Sequence, residues 1–486
     1  MANKIINIFK KCFRRIEIIC IFAICTALLP GVFLTAFRHK EIILAGFYAA
    51  FVMICVLAAY MMRNTLLRAK TGTRVVYIML IAFIIRFLVC YYLNLIQQGD
   101  YGIYLSVAQK LSSGGFKRTI YYGMFPHALN YPIFISGLYR LASGSLPWIP
   151  QLVNLAAGVM EAGCVTAVAE ISVHPRFGLF AGLAAALNPC IVFFTLFAGG
   201  EPVYGALTMA ALLLFINIYR KKGLISLSFA AFSGLMCALA NFFRPTGIIF
   251  IIAAFIMFAI FDKSNLRTKV MRSAAMIASY AIVVFLLGQL TSSVSGYEKP
   301  SPSYGWNLFI GANKESKGSW NTDDADLFNE KIEEYDDPSD LQSYFAQLGF
   351  KRYRNMKAGI LMHFVNKAAV WFDESFISNS VTKWQNEHTI FESADIAQTF
   401  QLICSFYNLT MVFGTMAAMI CIVILKETAP GLKLASLYML GSVLVFLVLE
   451  FSSRYKGAYY SMLTLLGAYG IYILQAKIRD KINGGV

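Results

Sequence analysis

Asp100 lies in Gln97-Gln98-Gly99-Asp100-Tyr101, an isolated carboxylate at the start of a long loop. A carboxylate so placed can take a proton from an acceptor hydroxyl within hydrogen-bond reach, and it can equally cap the helix that follows it. Arg244 stands in Asn241-Phe242-Phe243-Arg244-Pro245-Thr246, and Arg454 and Lys456 stand in Glu450-Phe451-Ser452-Ser453-Arg454-Tyr455-Lys456-Gly457. A guanidinium grips a phosphate through a fork of charge-assisted hydrogen bonds, which makes Arg244, Arg454 and Lys456 candidates for holding a phosphate. The plainer roles are a topological anchor for Arg244 and unspecific attraction to lipid headgroups for the other two. Glu201 follows Gly199-Gly200 and precedes Pro202, a position that also suits the dipole of a starting helix. His127 and Tyr131, in Phe125-Pro126-His127-Ala128-Leu129-Asn130-Tyr131-Pro132, share the loop that Asp100 opens. His127 either hydrogen-bonds a substrate or orients the loop. Glu201, His127 and Tyr131 are candidate substrate-binding residues.

The elements that carry these residues must live in lipid. Of 486 residues 58% are hydrophobic and 14% charged, and a soluble core cannot hide that much apolar surface. Apolar stretches of about 20 residues recur, the length that crosses a hydrocarbon layer of roughly 30 Å. The expected fold is an all-α polytopic membrane protein with about twelve spans, near 16–37, 42–62, 75–96, 151–171, 177–197, 202–219, 224–242, 246–261, 273–292, 402–425, 432–450 and 457–475. Two segments fall between spans, a partly amphipathic one at 97–150 and a polar one at 293–401. Tyr101 to Leu111 reads as a helix, as do stretches near 323–335 and 339–372.

The formal charge of +16 is unevenly spread. Residues 293–401 hold ten basic and sixteen acidic side chains, a net of −6, and the rest carries the positive excess in short runs. Placing the N-terminus in the cytoplasm puts Lys4, Lys10, Lys11, Arg14 and Arg15 inside, together with Arg63–Arg74, Arg220–Lys222, Lys263–Arg272 and Lys477–Lys481. Five clusters on one side by simple alternation imply both termini inside and the two loops outside. That pattern explains the charge without a nucleic-acid partner. The chain divides into an N-terminal membrane region, 1–292, with an outer catalytic loop at 97–150; a polar extracytoplasmic segment, 293–401; and C-terminal membrane helices, 402–486.

The ten cysteines show no CxxC or Cys/His metal spacing and behave as small buried hydrophobes. His39, His127, His174, His363 and His388 have no ligand spacing, and no metal ligand is assigned. Walker-type and HExxH motifs are absent from the sequence. Arg86, inside the third span, calls for a partner in the bundle, and Glu161 and Glu170 are of the right kind.

The order of these features resembles the superfamily C glycosyltransferases, in the branch of dolichyl-phosphate-mannose protein mannosyltransferases and bacterial aminoarabinose transferases. The resemblance rests on GDYGIYLSVAQKL around Asp100, FPHALNYPIF, QLVN at 151–154, ALNP at 186–189, GGEP around Glu201, FFRPTG around Arg244, GWNLFIGAN with GSWN, and EFSSRYKGAYY. It covers the chain from about Tyr91 to Tyr460; each motif is weak, and their order is moderately specific. It implies inverting transfer of a sugar from a polyprenyl-phosphate donor to a protein, lipid or cell-wall acceptor on the extracytoplasmic face. Asp100 takes the position of the family's catalytic base. The family often has two adjacent acids there, whereas Tyr101 follows here. No cofactor is assigned, and a divalent metal is the one the resemblance leaves room for. Two spans precede the family's usual first helix. The expected location is a bacterial plasma membrane. The rival from another class is a transporter or flippase of lipid-linked glycans, which predicts ionisable residues deep in the membrane and related halves.

Overall fold

The computed structural model describes residues 63–297, 303–385, 390–424 and 429–483. The expected spans 16–37 and 42–62 lie outside them. Seven described helices are long and apolar enough to cross a membrane: α1 (Thr71–Tyr92), α4 (Ile149–Ser172), α7 (Glu201–Arg220), α8 (Gly223–Phe243), α10 (Leu266–Ser295), α16 (Ala394–Ile424) and α17 (Pro430–Val448). Among the described residues every regular element is helical, and the chain is an integral membrane protein. Besides two short helical turns, Arg63–Arg68 and Ile120–Met124, the other α-helices are α2 (Asp100–Ser113), α3 (His127–Leu141), α5 (Pro175–Leu187), α6 (Pro189–Phe194), α9 (Ile248–Ile256), α11 (Tyr304–Gly311), α12 (Thr322–Lys331), α13 (Pro338–Met356), α14 (Ile360–Ala369), α15 (Ser375–Lys383) and α18 (Tyr460–Asn483).

Helical spacing sorts each span into two faces. In α1, Ile78, Ile81, Ala82, Ile85 and Val89 face the bundle, while Leu80, Phe83, Phe87 and Tyr91 stand exposed. Exposed side chains of that kind suit lipid. Close packing needs small residues: a Cβ on Gly234 of α8 would come within 2.2 Å of the Met276 carbonyl oxygen of α10.

Two expected spans take another form. The stretch 177–197 is broken at Asn188-Pro189 into α5 and α6. Pro189 has no amide hydrogen and takes the first position of a new helix. Asn188 accepts from the Cys190 amide at 2.9 Å and donates to Thr464 Oγ1 at 3.0 Å. Arg86 supports the break from below, donating to the carbonyls of Ala82 and Ala186 at 3.2 Å each. Glu170, one of its expected partners, is instead gripped by Arg74, whose Nε donates to Oε2 at 2.7 Å. The stretch 246–261 is α9 followed by a π-helical turn, Met257–Phe261. At a rise of 1.5 Å per residue it reaches about 21 Å, short of the apolar layer.

The two segments between spans, 97–150 and 293–401, pack on each other. Trp306, Phe309 and Ile310 of α11, Phe328 of α12, and Leu341 and Phe345 of α13 enclose a core with Met124, Phe125 and Ala128 of the first loop. The helix expected over 339–372 is interrupted at Lys357, whose φ of 47° turns the chain between α13 and α14. This lobe is tied to the chain leaving α17. Tyr353 donates to the Val448 carbonyl at 2.6 Å, Lys367 to Leu449 at 2.7 Å, the Glu450 amide to Asn307 at 2.7 Å, and the Phe451 amide to Gly318 at 3.1 Å.

Candidate functional site

Asp100 does not end the third span, as the sequence suggests, but begins α2. The span stops at Tyr92, and Leu95 then pairs with Gln385 in an isolated antiparallel bridge, with the Ile96 amide donating to the Trp384 carbonyl at 2.7 Å. Hydropathy favours extending the helix; pairing with a distant segment overrides it. Gln97 fixes the turn, donating to the Leu196 carbonyl and accepting from the Ala198 amide, both at 2.9 Å. Gly99 enters α2 at a φ of 56°, a conformation glycine adopts without strain. Asp100 therefore occupies the first helical turn, where the dipole favours a carboxylate.

Arg454 reaches this carboxylate from a 3₁₀ segment, Ser453–Ala458, with Nη1 2.7 Å from Asp100 Oδ2. The Asp100 side chain is 40% exposed and that of Arg454 22%. A second ion pair lies alongside: Arg244 Nη2 is 2.5 Å from Glu201 Oε1, which also accepts from the Tyr101 hydroxyl at 3.1 Å. Arg244 has its guanidinium carbon 4.8 Å from the centre of the Tyr455 ring, and Arg454 has its own 5.3 Å from the same ring. Tyr101 gives Arg454 another aromatic face at 5.7 Å. Burial opposes the charge on both arginines, yet Glu201 raises Arg244, and Asp100 together with Tyr455 raises Arg454 well above its ordinary value. Both guanidinium groups are therefore fully charged.

His127 is half-buried, its Nδ1 3.0 Å from the Ser303 hydroxyl. Burial first, and then the charge on Arg244, lower its pKa to about 4, so the imidazole is neutral at physiological pH. The unfolded chain binds a proton at His127 below about 6.5 that the folded chain refuses until about 4. Stability contributed by this group should therefore fall as pH drops from 6.5 to 4. A His127→Gln variant should show a shallower loss of thermal stability across that window. An unchanged acid slope would place His127 elsewhere in the electrostatics.

Tyr131 is buried against Tyr104, with ring centres 6.3 Å apart. Burial, and then the Glu201 carboxylate, hold its hydroxyl well above the usual phenol range. Lys456 faces away from the arginines. It is fully buried, with Nζ 3.3 Å from Glu374 Oε2 and donating also to the Asp373 carbonyl. Its charge is matched within the protein, so it is not set to hold a phosphate, and the reading of Lys456 as a phosphate ligand is corrected accordingly.

The structure thus brings Asp100, Arg454, Arg244 and Glu201 together, with His127 and Tyr131 on α3 beside them. Three further participants were not singled out in the sequence: Tyr101, Tyr455 and Glu450. Burial pushes the Glu450 carboxyl up, against the opposing pull of Arg454. Tyr455 had a legible signal, being an aromatic residue flanked by two basic ones in the sequence. Among the described residues no group of three His, Cys, Asp or Glu side chains converges as a metal site.

No family model matches the chain, and no curated protein matches it. The oligosaccharyltransferase of Archaeoglobus fulgidus in its apo form aligns over 85% of this chain and 52% of its own, at 12% identity and a TM-score of 0.49. The same organism's AglB, in complex with an inhibitory peptide and a dolichol-phosphate, aligns over 86% and 52%, at 12% identity and a TM-score of 0.47. ArnT from Cupriavidus metallidurans, bound to undecaprenyl phosphate, aligns over 83% and 78%, at 15% identity and a TM-score of 0.36. The chain spans about half the length of the archaeal enzymes.

Proposed function

We propose that this chain is a glycosyltransferase that moves a sugar from a polyprenyl-phosphate donor to an acceptor hydroxyl on the extracytoplasmic face of the membrane. The observation that carries this reading is a solvent-reachable carboxylate, Asp100, beside two charged guanidinium groups held on one tyrosine ring. The sequence motifs around those residues support it. A lipid-linked donor enters sideways from the bilayer, which gives a transferase a use for so many spans. The acceptor oxygen attacks the anomeric carbon from the face opposite the phosphate and inverts it. Its proton passes to Asp100, the carbon–oxygen bond to the phosphate breaks, and polyprenyl phosphate leaves. Arg454 and Arg244 stabilise the charge that builds on the leaving group. Glu201, His127 and Tyr131 shape the acceptor side.

The orientation in this reading is both termini in the cytoplasm of a bacterial plasma membrane, with Asp100 outside. Cysteines placed at Ser113 and Lys222 should then label from opposite faces, Ser113 from outside. Labelling of Lys222→Cys by an impermeant reagent added outside would overturn it. The donor assignment is tested by titrating purified protein with undecaprenyl phosphate. Arg244→Lys keeps the charge and loses the fork, so affinity should weaken about 10- to 100-fold, the worth of one charge-assisted hydrogen bond. Equal affinity in a well-folded variant would remove Arg244 from the phosphate site.

A further inference from the structure

We infer that the Asp100–Arg454 ion pair is a light lock on the base, which the donor phosphate opens by taking Arg454. The inference rests on the donor reading above.

The two ion pairs of the site are built differently. Glu201 is almost wholly buried, with 4% of its side chain exposed, and Tyr101 donates to the same oxygen that Arg244 holds. That pair is a fixed part of the floor. Asp100 is ten times as exposed, at 40%, and among the described residues its ion-pair partner is Arg454. Pairs as open to water as this are worth little on their own, because solvent competes for both charges. A phosphate that already touches Arg244 can therefore win Arg454 as well. Both guanidinium carbons lie against the Tyr455 ring, 4.8 and 5.3 Å from its centre, and in this proposal one phosphate bridges them.

The exchange has a chemical consequence. While Arg454 donates to Oδ2, taking up the acceptor's proton at either carboxylate oxygen also gives up the ion pair, so the paired carboxylate is the poorer base. Once the phosphate holds Arg454, that cost is gone. An acceptor that arrives alone meets an engaged base. After transfer, the product lipid phosphate is a monoester with more negative charge than the donor diester, and it keeps Arg454 until it leaves. Other charges face Arg454 too. Glu450 lies in its field, and Arg244 repels it; the 2.7 Å ion pair is the one with Asp100.

The test is a double-mutant cycle read by binding of undecaprenyl phosphate to the purified full chain. Asp100→Asn removes the competitor for Arg454, and affinity should rise about twofold to fivefold. In an Arg454→Gln background the same substitution should bring no gain, because there is no lock to open. A gain of equal size in both backgrounds would mean simple charge repulsion and would overturn the lock. No gain in either would also overturn it. If no variant binds the lipid phosphate, the donor reading itself fails, which is a distinguishable result. Should Arg454→Gln not fold, carbodiimide modification of Asp100 in the parent chain decides the matter. The modification should increase when undecaprenyl phosphate is added, and an unchanged yield overturns the proposal.

Discussion

Asp100→Asn should lower sugar-transfer turnover by roughly 10²–10⁴, the usual worth of a positioned general base. The substitution keeps the side chain's size and leaves the Gly99 N-cap of α2 untouched. It thereby separates a base from a carboxylate that merely suits a helix start, which the sequence alone leaves open. The site gives the base role its physical content. The carboxylate stands at a helix start held by Gln97 and by the Leu95–Gln385 bridge, so a rigid backbone aims it. At 40% exposure it can also meet a hydroxyl arriving from water. Release of sugar from a polyprenyl-phosphate donor, measured beside lipid-phosphate binding on the same protein, is the decisive assay. Turnover near that of the parent would return Asp100 to merely suiting the start of α2.

The largest effect on stability is expected at Lys456. Its ammonium and the Glu374 carboxylate are both 0% exposed, and Tyr460 donates to the same carboxylate oxygen. Removing one partner of a buried pair leaves the other charge without compensation, at a cost of about 3–5 kcal/mol. Lys456→Met should therefore lower the thermal midpoint sharply. Adding Glu374→Leu should restore most of the loss, since an apolar pair of similar volume needs no compensation. A Lys456→Met protein as stable as the parent would show that Glu374 carries no charge in the fold. Because Lys456 lies two residues from Arg454 on the same 3₁₀ segment, lost activity in this variant counts against folding before it counts against phosphate binding.

The helical bundle was legible in the sequence because apolar length is a direct physical requirement of the bilayer. Residues such as Ile78, Ile81 and Ile85 alternate with lipid-facing ones at helical spacing, and the order of the expected spans follows α1, α4, α7, α8, α10, α16, α17 and α18. What failed was the reading of interruptions. Asn188-Pro189 divides a stretch whose hydropathy is continuous, and only the side-chain bonds of Asn188 show why the break is tolerated. Of the candidate site, Asp100, Arg244, Glu201 and Arg454 stand out in the sequence because charges at an apolar boundary are costly. Their pairing was not legible, since Asp100 and Arg454 lie 354 positions apart and meet only through tertiary packing. The misreading of Lys456 has the same root: Arg454 and Lys456 look alike in sequence, and a turn of 3₁₀ helix sends one to the cleft and the other to Glu374.

Hydrogen bonds that Tyr353 and Lys367 donate, and that the Asn307 and Gly318 carbonyls accept, fasten the lobe to residues 448–451, immediately ahead of Arg454. The lobe and the membrane bundle are for that reason poor candidates for exchange between relatives. A chimera carrying a foreign lobe would insert and span correctly while letting the Arg454 backbone drift, and a loss of register of about 1 Å there is enough to spoil a reaction geometry. Change in what this site binds is then expected through side chains inside a lobe of unchanged length, rather than through wholesale replacement of it.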